Sequence, residues 1–168
     1  MWDRNQKTIN SVANFSGIGL HSGEKVDVAL LPANSNSGII FKRIDLKKDN
    51  EIIANFKNVS SARLCTKISN DSGVSVSTIE HLMAAFYVCG IDNIVVELNG
   101  PEVPIMDGSA KDFVKIIMNS GLKTLGGKRK FVRVKEEIQL KKEDGKFINI
   151  KPSNKTFEVK FTLNYKNN

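Results

Sequence analysis

The sequence predicts an α+β fold: a two-layer sandwich in which a mainly antiparallel sheet is backed by two helices, followed by an incomplete second copy of the same kind of domain. Three observations carry this expectation. Short strand-like stretches fill the chain up to about residue 70. Two stretches of helical periodicity follow, separated by one apolar strand. After residue 128 only strand-like stretches remain. Strands grouped before helices, rather than strictly alternating with them, indicate α+β layers.

Taken in order, "TINSVANF" (8–15) predicts a first strand, ended by "SGIGLHSG", whose glycines 17, 19 and 23 permit tight turns and close backbone approach. "EKVDVALL" alternates Val26, Val28 and Leu30, the period of a strand with one buried face. Pro32 and "ANSNSG" make a turn, and "GIIFKRI" is the next strand. Residues 45–60 are polar and irregular apart from a short strand at Ile52–Ile53, and "ARLCTKI" alternates again before the turn "SNDSG". The first helix is expected from Ser77 to just before Gly90, with Ile79, Leu82, Met83 and Phe86 on one face. Gly90 suits the left-handed position just past a helix end. "NIVVELNG" is a buried strand and "PEVPIMDG" a proline-bounded loop in which Asp107 fixes the backbone. The second helix spans about Ser109 to Asn119, with Phe113, Val114 and Ile117 as its stripe, Ser109 and Asp112 as its cap and Gly121 as its stop. "LKTLGGKRK" (122–130) is a polar boundary, so the domains expected are 1–127, complete, and 128–168, the opening strands of a second. Those strands are "FVRVKEEIQL", "GKFINIKP" and "TFEVKFTLNY"; three strands alone leave a face uncovered.

Composition sets outer limits. Of 168 residues, 40% are hydrophobic, enough for a packed core and against wholesale disorder. No apolar run is long enough for a membrane helix, and the first residues lack the pattern of a signal peptide, so a soluble, cytoplasmic chain is expected. Cys65 and Cys89 make no disulfide framework or zinc motif and read as buried thiols. The net charge of +7 is uneven: residues 1–122 carry 12 Lys and Arg against 13 Asp and Glu, net −1, whereas residues 123–168 carry 13 against 5, net +8. That basic segment is either a solvated face or, alternatively, a non-enzymatic binding module for RNA or another polyanion. The lack of interleaved aromatic residues for base stacking favours the solvated face.

Chemistry concentrates in "STIEHLMAAF" (77–86). Ser77 and Glu80 have the spacing of a capping box, in which each side chain satisfies a backbone amide of the first helical turn. A carboxylate there also suits the helix dipole. Glu80 and His81 could instead be half of a metal site. Catalytic zinc typically takes three protein ligands, and the only histidines are His21 and His81, without HExxH spacing. The residues alone leave both readings open.

Five motifs in succession add weight to the metal site without excluding the cap: "QKTI" (6–9), "GIGLHSG" (17–23), "STIEHLMAA" (77–85), "GIDNIVVELNGPEVPIMDGSA" (90–110) and "KFVRVKE" (130–136). Over essentially all of its length the chain resembles the UDP-3-O-acyl-N-acetylglucosamine deacetylases, zinc-dependent enzymes of lipid A biosynthesis in Gram-negative bacteria. The resemblance implies two similar domains with the site between them. It implies zinc as cofactor, His81 as one zinc ligand and Glu80 as the catalytic base, while the family's other two ligands, a histidine and an aspartate, lie in a later segment absent from this chain. It places Leu20, Leu64 and Cys65 near the substrate, Thr78 beside the base and Phe161 toward the uridine. His21 is either a substrate-side or secondary metal contact or an exposed loop histidine. The substrate implied is a nucleotide-sugar lipid, with no nucleic acid as partner. With one ligand of three, the chain reads as truncated, in need of the rest of its second domain, and inactive alone.

Overall fold

The computed structural model of the protein describes residues 4–154 and 157–163. They belong to two compact units divided after Arg129.

Among its described residues the first unit contains ten strands, two α-helices and a short 3-10 helix at Phe56–Asn58. In chain order the strands and α-helices are β1 (Asn5–Ile9), β2 (Ala13–Ile18), β3 (Lys25–Pro32), β4 (Ile39–Arg43), β5 (Glu51–Ile53), β6 (Val59–Ser61), β7 (Lys67–Ser69), β8 (Ser75–Val76), α1 (Glu80–Cys89), β9 (Ile94–Leu98), α2 (Lys111–Asn119) and β10 (Leu122–Lys128). A five-stranded sheet in the order β2-β3-β9-β4-β5 is the platform; β4 and β9 run parallel and its other pairs antiparallel. A three-stranded sheet β6-β7-β8 and a ribbon of β1 with β10 complete the unit.

The register explains the core. Val28 pairs with Leu98 and Leu30 with Val96, while Phe41 pairs with Val96 and Ile52, so one face of the sheet is a continuous apolar surface. All six side chains are buried in one cluster with Leu82, Ala85, Phe86 and Cys89 of α1 and Phe113 and Ile117 of α2. Fully burying one such side chain stabilises by about 1.5–3 kcal/mol. Phe15 of β2 closes edge-on against Phe113, with ring centroids 5.5 Å apart. The opposite face is polar where the pleat demands it: Lys42 and Glu97 sit directly across β4 and β9 and form a 3.0 Å ion pair. The α+β character, mostly sheet with two helices, is therefore as the sequence indicates.

Several elements differ from the sequence reading. The stretch 8–15 is two strands, β1 and β2, because Asn10 and Ser11 turn aside to donate backbone N–H groups to Gly121 and Ser120. "ARLCTKI" is strand only from Lys67; residues 62–66 form a loop in which Leu64 takes φ +66°. Cys65 is consequently half-buried rather than core, whereas Cys89 is buried. Burial pushes the Cys89 thiol pKa up. The segment 122–128, expected as a boundary, is β10, which pairs with β1 and needs no apolar face to do so. The chain leaves this unit at Arg129, whose guanidinium grips Asp92 through Nε to Oδ1 and Nη2 to Oδ2, both at 2.7 Å, and the carbonyl of Gly90, also at 2.7 Å. Gly90 itself ends α1 in the left-handed conformation at φ 70°, as expected. α2 starts at Lys111, not Ser109; Asp107 accepts from the amide and hydroxyl of Ser109, which in turn accepts from the Lys111 amide.

Among its described residues the second unit contains one antiparallel hairpin, β11 (Ile138–Lys141) with β12 (Phe147–Ile150). Residues 131–136 carry no strand, and neither do residues 157–163. Thr156, Asn164 and Tyr165 of the third expected strand lie outside the described residues. Neither α1 nor α2 is long and apolar enough to cross a membrane.

Candidate functional site

Glu80 is the first residue of α1 and His81 the second; both are half-buried. The expected capping box does not form. Ile79 occupies the cap position with a helical backbone and makes no side-chain cap bond. Ser77 lies two residues before the cap and donates its hydroxyl to the Pro101 carbonyl at 3.2 Å. The Glu80 carboxylate turns instead to the loop before β7, where Oε2 accepts the Thr66 amide at 3.0 Å. This bond fixes the base candidate against the loop that carries Leu64 and Cys65. Leu64 is displayed there at 84% exposure.

A second junction lies beside the first. Residues 101–103 run alongside Ser77 as an isolated parallel bridge: the Ser77 amide donates to Pro101 and the Val103 amide to Ser77. Glu102, held between those two bonds, is 1% exposed. Its Oε1 accepts the Thr78 hydroxyl at 2.7 Å and the His21 amide at 3.1 Å. Its Oε2 accepts the Ser22 amide at 2.7 Å and shares the His21 amide at 3.1 Å. Burial by itself works against this charge, but the hydrogen bonds from Thr78, Ser22 and His21 outweigh it and hold the carboxyl below its ordinary range. Gly19 makes room: a Cβ there would stand 2.6 Å from Glu102 Oε2.

The predicted residues thus fall into two connected groups in the first unit. Leu20 (59% exposed) and the exposed His21 sit on the turn between β2 and β3, anchored through the backbone to Glu102. Thr78 is buried, with its hydroxyl committed to the same carboxylate. Leu64 and Cys65 are tied through Thr66 to Glu80. Phe161 belongs to the second unit and is 78% exposed. The sequence reading missed Glu102. The available signal was an acid set in the otherwise apolar "PEVPIM", where a buried carboxylate must find donors.

One imidazole beside one carboxylate falls short of the three ligands that a catalytic zinc takes. Among the described residues no three His, Cys, Asp or Glu side chains gather where they could hold a metal ion. The described residues therefore do not fit zinc as a self-sufficient site; at most they contribute one ligand to it.

Comparison with known proteins covers nearly the whole chain. The family model for UDP-3-O-acyl N-acetylglycosamine deacetylase matches residues 6–168. The UDP-3-O-acyl-N-acetylglucosamine deacetylase of Wigglesworthia glossinidia brevipalpis is 46% identical over 161 residues, 95% of this chain and 53% of its own length. That of Chromohalobacter salexigens is 48% identical over 160 residues, 95% and 52%. That of Aliivibrio fischeri is 43% identical over 161 residues, 95% and 52%. The chain spans about half the length of the curated relatives it matches.

Proposed function

The chain belongs to the UDP-3-O-acyl N-acetylglycosamine deacetylase family, and from that premise we propose that it supplies the Glu80–His81 half of a site that hydrolyses the N-acetyl group of UDP-3-O-acyl-N-acetylglucosamine in cytoplasmic lipid A biosynthesis. The observation that carries the reading is the direction of Glu80. A carboxylate at the start of a helix that does not cap it, and that is held on one oxygen by a backbone amide from another loop, is oriented for something other than helix stability.

The chemistry asked of the chain is general-base catalysis. As a water oxygen adds to the acetamide carbon, Glu80 takes the water's proton. The carbon–nitrogen bond then breaks as the proton held by Glu80 passes to the amide nitrogen, releasing acetate and the glucosamine amine. The Thr66 amide restrains Oε2 of the base and leaves Oε1 to accept the proton. His81 follows Glu80 on the same turn, where adjacent side chains diverge by about 100°, so the imidazole and carboxylate can reach a common point from different sides. His81 offers one ligand to zinc, and the remaining ligands belong to the rest of the second domain, of which residues 130–168 are the opening part. Leu20, His21, Leu64 and Cys65 line the approach for the acylated sugar; Phe161 is assigned to the uridine by the family resemblance alone.

The test is a polypeptide in which residues 1–168 replace the matching half of the Chromohalobacter salexigens relative. Given zinc and the UDP-linked substrate, it should release acetate, and Glu80→Gln should lower kcat by about 100-fold or more, the scale of a lost general base. A folded chimera with no turnover, or one indifferent to Glu80→Gln, overturns the proposal. The 168-residue chain alone should show no turnover.

A further inference from the structure

We propose that Glu102 is a positioning residue that locks the His21 turn to the start of α1, so that the substrate-side loop and the Glu80–His81 turn are set by one buried carboxylate. The proposal rests on the deacetylase reading for its kinetic consequence, although the junction itself is a property of this chain.

Three observations support it. First, Glu102 is itself fixed, because the backbone bonds Ser77 to Pro101 and Val103 to Ser77 flank it on both sides. The carboxylate is thus a rigid post and not a flexible surface acid. Second, its donors come from two segments far apart in sequence. The His21 amide and the Thr78 hydroxyl share the single atom Oε1, which fixes the distance between those segments. Third, Thr78 holds φ at +56°. For a β-branched side chain this left-handed backbone is an outlier that persists only where its surroundings impose it. The Glu102 bond to its hydroxyl is one such constraint. Two residues later the chain enters α1 with Glu80 and His81, so relaxation of Thr78 toward ordinary φ would swing the first turn of the helix. Thr78, expected beside the base, on this view acts through Glu102 and not by direct contact with the substrate.

The chemistry of the partners predicts which replacements work. Glutamine keeps one carbonyl oxygen for the amides of His21 and Ser22 and can donate its NH2 to Thr78, whose hydroxyl also accepts. Leucine keeps the bulk and accepts nothing. Thr78→Val removes only the hydroxyl bond at nearly constant shape.

In the 168-residue chain, amide hydrogen exchange should quicken in Glu102→Gln, and more in Glu102→Leu, both at His21 and Ser22 and at Met83, whose amide closes the first turn of α1 on Ile79. Quickening confined to His21 and Ser22, with Met83 unchanged, overturns the coupling whether or not the chain is half of a deacetylase. In the active chimera, kcat should fall in the order wild type, Gln, Leu, reaching about 10- to 100-fold for Leu, the scale of an ångström-sized misplacement. Thr78→Val and Glu102→Leu should be non-additive, because both remove the bond between Thr78 and Glu102. Phe113→Leu, a core change away from the junction, should lower the urea midpoint while leaving kcat unchanged. Additive losses, or a kcat in Glu102→Leu that merely matches Phe113→Leu at equal stability, overturn the proposal.

Discussion

Arg129→Ala should destabilise the first unit by about 2–3 kcal/mol. The guanidinium makes three bonds of 2.7 Å, two to Asp92 in a fork and one to the Gly90 carbonyl at the end of α1. Only 11% of the Arg129 side chain and 22% of the Asp92 side chain are exposed. Removing one partner of a fully buried ion pair costs about 3–5 kcal/mol, and the water that still reaches Asp92 reduces that figure. Asp92 also keeps the Lys7 amide, which donates to Oδ2 at 2.8 Å. With a urea m-value of about 1–3 kcal/mol/M, the midpoint should drop by about 1 M. The assay is urea unfolding of the 168-residue chain followed by far-UV circular dichroism. Arg129→Lys keeps the charge but not the planar fork and should recover only part of the loss. A midpoint for Arg129→Ala within about 0.2 M of wild type (under about 0.6 kcal/mol at such m-values), or full recovery by lysine, would refute the account of the clamp.

Other expectations are simpler. Gly19→Ala should cost about 1–3 kcal/mol, since its Cβ would crowd Glu102 Oε2 at 2.6 Å, and the loss should show as a lower Tm. Phe41→Ala, at the centre of the sheet core, should cost about 3–5 kcal/mol by urea titration with an unchanged m-value. Glu102 titrates lower in the folded chain than in the unfolded one. Its stabilisation is therefore complete above about pH 4.3, the unfolded value, and drains away as pH falls through the folded one. Glu102→Gln should flatten that acid limb; an unchanged limb would show that the carboxylate does not sense folding.

The sequence displayed most clearly those elements whose local pattern and tertiary role coincide. β3 and β9 alternate because one face meets the helices, and Gly90 stands where α1 needs a left-handed residue. It misled where local chemistry was overruled from a distance. Ser77 and Glu80 spell a capping box, yet Ser77 is occupied by Pro101 and Glu80 by Thr66, neither of them adjacent in sequence. The "LKTLGGK" of β10 looks like a linker because a two-stranded ribbon is held by backbone bonds to β1 and not by an apolar face. Of the candidate site, Glu80 and His81 were legible through family motifs. Glu102 was missed, because its donors include the backbone amides of His21 and Ser22, which leave no mark on composition.

The position of β9 sets the order in which the molecule can be assembled. It lies between β3 and β4, yet it is made after both and after α1. During synthesis those two strands have no shared neighbour until residues 94–98 emerge, and β1 has no paired strand until β10 follows. Each delay leaves strand edges open in a growing chain, and closing such long loops costs entropy before contacts repay it. Charged side chains on those strands, Lys25 in β3 and Lys42 in β4, disfavour pairing with a wrong neighbour while the edges stand open.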